Sequence, residues 1–158
     1  MLIQSEADAL IAMQKKLAIK REVYDFPLPG GTLIIPIVSW DKIESFLVDV
    51  NRRTIRFTKC TYQERYQGMI ILVRLDINGS PHPNPRVVNT PSAQLEPYNG
   101  QTIPCPHLHL YVEGFMDKWA IPAPSKEFPR IEDICATLND FFHYCNIAEP
   151  PLVQRSMF

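Results

Sequence analysis

Three observations predict an α+β fold. Helical periodicity is confined to the two ends of the chain, the stretch between them alternates with a period of two, and prolines rather than glycines separate the elements, 15 against six in 158 residues. The predicted architecture is an N-terminal helix, a strongly bent antiparallel meander or partly open barrel of about six strands, and a C-terminal amphipathic helix packed on the sheet. With 46% hydrophobic and 21% charged residues, the chain suits one core and a single domain over 1–158.

Taken in order, Ser5-Glu6-Ala7-Asp8 places a capping side chain before carboxylates that the helix dipole favours, and predicts a helix over 5–18 with Ala7, Leu10, Met13 and Leu17 on one side. Strands are expected within 22–77. Val23 to Leu28 passes through the turn signal Pro29-Gly30-Gly31 into Leu33-Ile34-Ile35-Pro36-Ile37-Val38, Phe46 to Val50 follows, and Thr54 to Cys60 runs back. Met69 to Ile77 is the strongest strand pattern and is expected inside the sheet, paired with a strand from His107 to Val112. Between them lies a proline-rich loop, 78–104, whose Pro81-His82-Pro83-Asn84-Pro85 is placed to arch over the histidine face; further strand follows within 107–120. The helix over 131–145 has Ile131, Ile134, Cys135, Leu138, Phe141, Phe142 and Cys145 at core spacing, and the tail, 146–158, ends in apolar residues suited to docking.

The formal net charge is -1, so nothing global attracts nucleic acid or an anionic membrane, and a charged partner has to be argued from a local region. The first residues carry no basic segment followed by an apolar run, and no stretch approaches the roughly 18 apolar residues of a membrane span, so a cytoplasmic protein is expected. The four cysteines, Cys60, Cys105, Cys135 and Cys145, lack paired zinc-site spacing and are read as reduced thiols.

The chemistry concentrates in Pro104 to Pro122. On a strand His107, His109, Tyr111 and Glu113 share one face, and two assignments of that face involve a reaction. In the first, His107 and His109 are acid and base for metal-free cleavage of a phosphodiester, with Arg56, Arg74, Tyr111, Lys118 and His82 binding an RNA or nucleotide. Local charge favours it: Arg52, Arg53, Arg56, Lys59, Arg65 and Arg74 face only Glu64 between positions 52 and 75, with Tyr62 and Tyr66 available to stack bases. In the second, His107, His109 and Glu113 ligate a divalent transition metal, since H-x-H-x-x-x-E is the spacing of the first cupin motif. The motif's glycines are displaced, with Gly100 one position off and none at position 120, its distal histidine is absent, and His82 would have to complete the ligands. The same residues also suit a structural clasp, hydrogen-bonded to the long loop. Cys105, held between two prolines two residues from His107, is a packed thiol rather than a nucleophile.

The run Arg74-Leu75-Asp76-Ile77-Asn78-Gly79, with Pro81-His82-Pro83-Asn84-Pro85, Pro106-His107-Leu108-His109-Leu110-Tyr111, Glu113-Gly114, Asp117-Lys118-Trp119-Ala120 and Tyr144-Cys145-Asn146-Ile147, resembles a family of small bacterial or phage proteins to which no activity is attached. The resemblance implies a self-contained domain and transfers no catalytic role. A third expectation, of a different class, is a protein-interaction module of a bacterial defence or mobile-element system, using the proline-rich loop or the apolar tail. Oligomeric state has no signal in the sequence.

Overall fold

Seven strands form one open antiparallel sheet in a computed structural model that describes residues 1–21, 23–53 and 58–155. Their order is β1 (Lys15–Leu17), β3 (Thr32–Ser39), β4 (Ser45–Asn51), β5 (Cys60–Tyr66), β6 (Ile70–Ile77), β9 (His107–Leu110) and β10 (Ala120–Pro122). β2 (Val23–Phe26) stands outside this sheet and pairs in parallel with β11 (Leu152–Arg155), so the tail docks through these four residues, its apolar end at 156–158 lying outside the described residues. Helices α1 (Gln4–Ala12) and α2 (Ile134–Tyr144) complete the α+β architecture. No helix among the described residues is long and apolar enough to cross a membrane.

α1 is shorter than its periodicity predicts. It ends at Ala12, Met13 is extended, and Lys15–Leu17 becomes a strand, with Lys15 paired to Ser39 and also bridging to Ile147. Pairing of all three residues to β3, and of Lys15 to Ile147 on its other side, outweighs a helical pattern that had only Met13 and Leu17 left to bury. The expected Ser5 cap gives way to Glu6, which accepts from the Ile3 amide, and to Glu113, which accepts from the Gln4 amide at 2.9 Å. α2 begins after Asp133, whose carboxylate accepts from Ala136 N–H at 3.0 Å. The predicted strand over Thr54–Cys60 lies mostly outside the described residues, and the strand that is seen there starts at Cys60.

The two faces of the central sheet differ in chemistry. Tyr62, Glu64, Val73, Leu75 and Leu108 share the face toward the core, where Tyr62 packs on Phe141 of α2 and its hydroxyl donates to the Ile134 carbonyl. Thr61, Arg74, Asp76, His107 and His109 share the other. The long loop is ordered rather than a free excursion: His82 at its start lies over this second face, and Leu95 further on packs into the core. β7 (His82–Pro83) pairs with β8 (Thr102–Ile103), and the buried Asn84 amide donates to the carbonyls of Tyr98 and Ala120 and accepts from Ala120 N–H. Loops of this length are stable when their backbone polar groups find such partners.

Candidate functional site

Antiparallel pairing sets the site. β6 and β9 run in register with Asp76 opposite His107 and Arg74 opposite His109, so alternation along both strands brings four polar side chains to one patch. His107 is 2% exposed, His109 1% and Asp76 7%, which puts three ionisable groups in a nearly dry place. His107 Nε2 and His109 Nε2 each lie 3.3 Å from the same oxygen, Asp76 Oδ2. Arg74 reaches that oxygen at 2.8 Å, and the Thr61 hydroxyl donates to Oδ1 at 2.6 Å. Burial pushes the Asp76 carboxyl up, but the neighbouring His107 and His109 rings, Arg74 and Thr61 more than reverse it and hold the group well below the usual carboxylate range.

The partners on the far side of each ring fix which nitrogen faces inward. His109 Nδ1 donates to the Asp117 carbonyl at 2.8 Å, an oxygen that can only accept, so the ring directs Nε2 at Asp76. His107 Nε2 donates to Asp76 Oδ2 at 3.3 Å, and its Nδ1 lies 3.5 Å from Cys105 Sγ. Both rings turn Nε2 toward one carboxylate oxygen. His109 Nε2, however, is a buried atom without a hydrogen-bond partner among the described residues, because its approach to Asp76 lacks hydrogen-bond geometry. Burial raises the Cys105 thiol above its ordinary range, which suits the packed, protonated role expected for it.

His82 closes one side. Its ring lies 4.5 Å from that of His109, edge to face, and its Nε2 donates to the Lys118 carbonyl at 2.8 Å. Burial is the main cause that lowers its pKa. On another side a polar cavity of about 420 Å³ opens; its lining includes Asp76, His82 and His107 together with Arg52, Arg53, Lys59 and Arg74.

Of the residues singled out in the sequence, His107, His109, His82 and Arg74 come together. Lys118 contributes only its carbonyl, and its side chain is exposed. Tyr111 is buried on the other side of the sheet, where its hydroxyl donates to the Leu2 carbonyl at 2.8 Å and its ring lines a separate cavity with Leu108 and Leu110. Glu113 is exposed beside the start of α1. The reason is that β9 stops at Leu110: the chain turns back over 112–116, with Met116 at φ +56, and the expected alternation does not extend to 111 and 113. Arg56 lies outside the described residues.

Of the described residues of the basic stretch, Arg52, Arg53, Lys59 and Arg74 line one cavity and Arg65 does not. Arg65 is paired with Asp49 at 2.5 Å, Tyr62 is fully buried and offers no stacking face, and the half-buried Tyr66 packs on Phe46 and donates its hydroxyl to Glu44. Gly100, one position from where the cupin pattern would want it, serves the loop: its φ is +66 and the Arg86 guanidinium lies where a side chain would start.

Sequence reasoning did not place Asp76 in the site. The signal was available, since Asp76 shares a strand face with Arg74 and the β6 to β9 pairing was expected, but only the register puts it against His107. One carboxylate oxygen and one nitrogen from each of His107 and His109 lie within 4.8 Å of one another, a set able to hold a metal ion. Ligand atoms about 2.0–2.1 Å from a tetrahedral ion stand about 3.3 Å apart, which is the nitrogen to oxygen spacing seen here.

No curated protein and no solved structure matches the chain significantly. The model of DUF6978, a family of unknown function, matches residues 2–147, a span that includes every residue of the site, and the chain belongs to that family.

Proposed function

We propose that the protein binds a divalent first-row transition ion through Asp76, His107 and His109 and presents it to a ligand in the adjoining cleft. The observation that carries this reading is His109 Nε2: a buried nitrogen, turned inward by the bond its other nitrogen makes to Asp117, facing a carboxylate oxygen without hydrogen-bonding to it. Two imidazoles and one carboxylate are a donor set suited to iron, manganese or zinc. The outer partners, the Asp117 carbonyl and Cys105 on the rings and Arg74 and Thr61 on the carboxylate, hold the ligand atoms in place as such sites require. A bound ion would supply Lewis acidity, polarising a ligand oxygen or a water that reaches it through the cleft.

The ligand set differs from the cupin spacing in one residue, Asp76 in place of Glu113. Metal-free acid and base work by the two histidines is the weaker reading on this geometry, because His109 is tied to Asp117 and lies behind the cavity rather than on it. The test is metal analysis of protein purified without a histidine tag, together with cobalt(II) titration of the stripped protein. About one equivalent of ion and visible cobalt bands lost in His109→Gln are expected. Less than a tenth of an equivalent, with no cobalt spectrum in the native sequence, would overturn the reading.

A further inference from the structure

The cavity beside the triad carries more positive charge than its own side chains neutralise. Arg52, Arg53, Lys59 and Arg74 line it, and Asp76 is the one carboxylate among the described residues of its lining. Arg74 is committed to Asp76 and to Asp117, 3.5 Å away, and buried Arg52 donates to the Pro27 carbonyl. Neither Arg53 nor Lys59 makes an ion pair among the described residues. A volume of about 420 Å³ falls in the range of small-molecule sites, yet the lining is more polar than apolar and mostly cationic where charged, which suits a hydrophilic, anionic occupant.

We infer that the cleft is a site for a phosphate group, as carried by a nucleotide or an RNA strand, held by Arg53 and Lys59 and directed at Asp76, His107 and His109. The placement of cations separates phosphate from carboxylate. A terminal phosphate offers three oxygens pointing apart and up to two charges, enough to meet an arginine, a lysine and the triad together, and a strand offers two oxygens and one charge at each successive link, whereas a carboxylate has two coplanar oxygens and one charge. The inward end of this inference, where an oxygen meets the ion, rests on the metal reading; the cationic end does not.

The experiment measures binding of inorganic phosphate, a 5′-mononucleotide, the corresponding nucleoside, succinate and an eight-nucleotide single-stranded RNA to cobalt-loaded and to EDTA-stripped protein. Cobalt content is read on each sample. Expected are binding of phosphate and mononucleotide with none of the nucleoside, a change in the cobalt spectrum on adding phosphate, and a loss of roughly tenfold in affinity in Lys59→Gln and in Arg53→Gln, with cobalt uptake unchanged. RNA binding tighter than the mononucleotide, and falling more steeply with salt, would identify a strand as the source; equal affinities would identify a small molecule, and both outcomes support a phosphate site. Phosphate binding to protein that takes up no cobalt would defeat the metal reading and leave the phosphate site standing. Cobalt-loaded protein that ignores every phosphate probe, or binds succinate or nucleoside equally well, overturns the inference.

Discussion

Two carboxylates are buried on neighbouring strands of the same sheet and face opposite ways. Glu64 on β5 points into the core, fully buried, with Lys15 Nζ 3.2 Å away, itself fully buried and bonded to the carbonyls of Ile11 and Cys145. Asp76 on β6 points to the polar face, meets four side chains and adjoins an open cavity. Burial wins at Glu64, whose carboxyl is pushed up to about 7 despite the lysine, whereas the partners win at Asp76. A lone ion pair in apolar surroundings ties β1, β5 and the end of α2 into one fold. A carboxylate with more partners than it needs, next to a cleft, is a place to bind something.

The largest effect that tests this contrast is expected from Lys15→Ala, which leaves Glu64 buried without its cation. It should cost about 3–5 kcal/mol in urea unfolding, while Lys15→Met combined with Glu64→Leu should return to within about 1 kcal/mol of the native sequence. If the single change costs less than the double, the pair is not what holds this part of the core. Next in size is a pH effect. Glu64 has a folded-state pKa of about 7 against an ordinary 4.5, so its contribution is complete below pH 4.5 and is lost as pH rises to about 7. The loss is on the order of 3 kcal/mol in a profile of unfolding free energy against pH, and Glu64→Gln should flatten that window. Asp76 acts in the opposite sense, its contribution being present above pH 3.8 and lost as pH falls.

Ion binding is expected to stabilise the native protein by about 3 kcal/mol at a hundredfold excess over Kd, read as a rise in thermal midpoint. Asp76→Asn should lose that rise, and Glu64→Gln should keep it. A rise that survives in Asp76→Asn would place the ion elsewhere.

The β6 strand of this contrast was legible in the sequence and its two carboxylates were not, for physical reasons. Period-two patterning identified β6 as an inner strand and paired it with the histidine strand, and Pro81 to Pro85 was placed beside His107 and His109. What patterning could not supply was register, the quantity that turns Asp76 from a strand residue near a turn into the partner of His107. Nor could it see that the chain leaves β9 after Leu110, which carries Tyr111 and Glu113 away from the face that spacing assigned them. The shortened α1 is a similar case, since Lys15 becomes a strand residue through β3 and the Ile147 bridge, contacts far away in sequence. Local periodicity was sound wherever an element continued and failed where a distant partner ended it.

The smallest expected effect separates the two possible ligand sets most cleanly. Glu113→Gln keeps an acceptor for the Gln4 amide and removes only a charge near the start of α1, so stability should change by less than about 1 kcal/mol. If spacing alone defined a metal site, this change would empty it as thoroughly as His109→Gln, because both remove one of three ligands. With Asp76 as the third ligand, cobalt uptake in Glu113→Gln should match the native protein within error, while Asp76→Asn should abolish it. Uptake lost in Glu113→Gln and kept in Asp76→Asn would mean that the chain beyond Leu110 can swing back onto the histidine face, and that the cupin spacing, rather than the β6 to β9 register, selects the ligands.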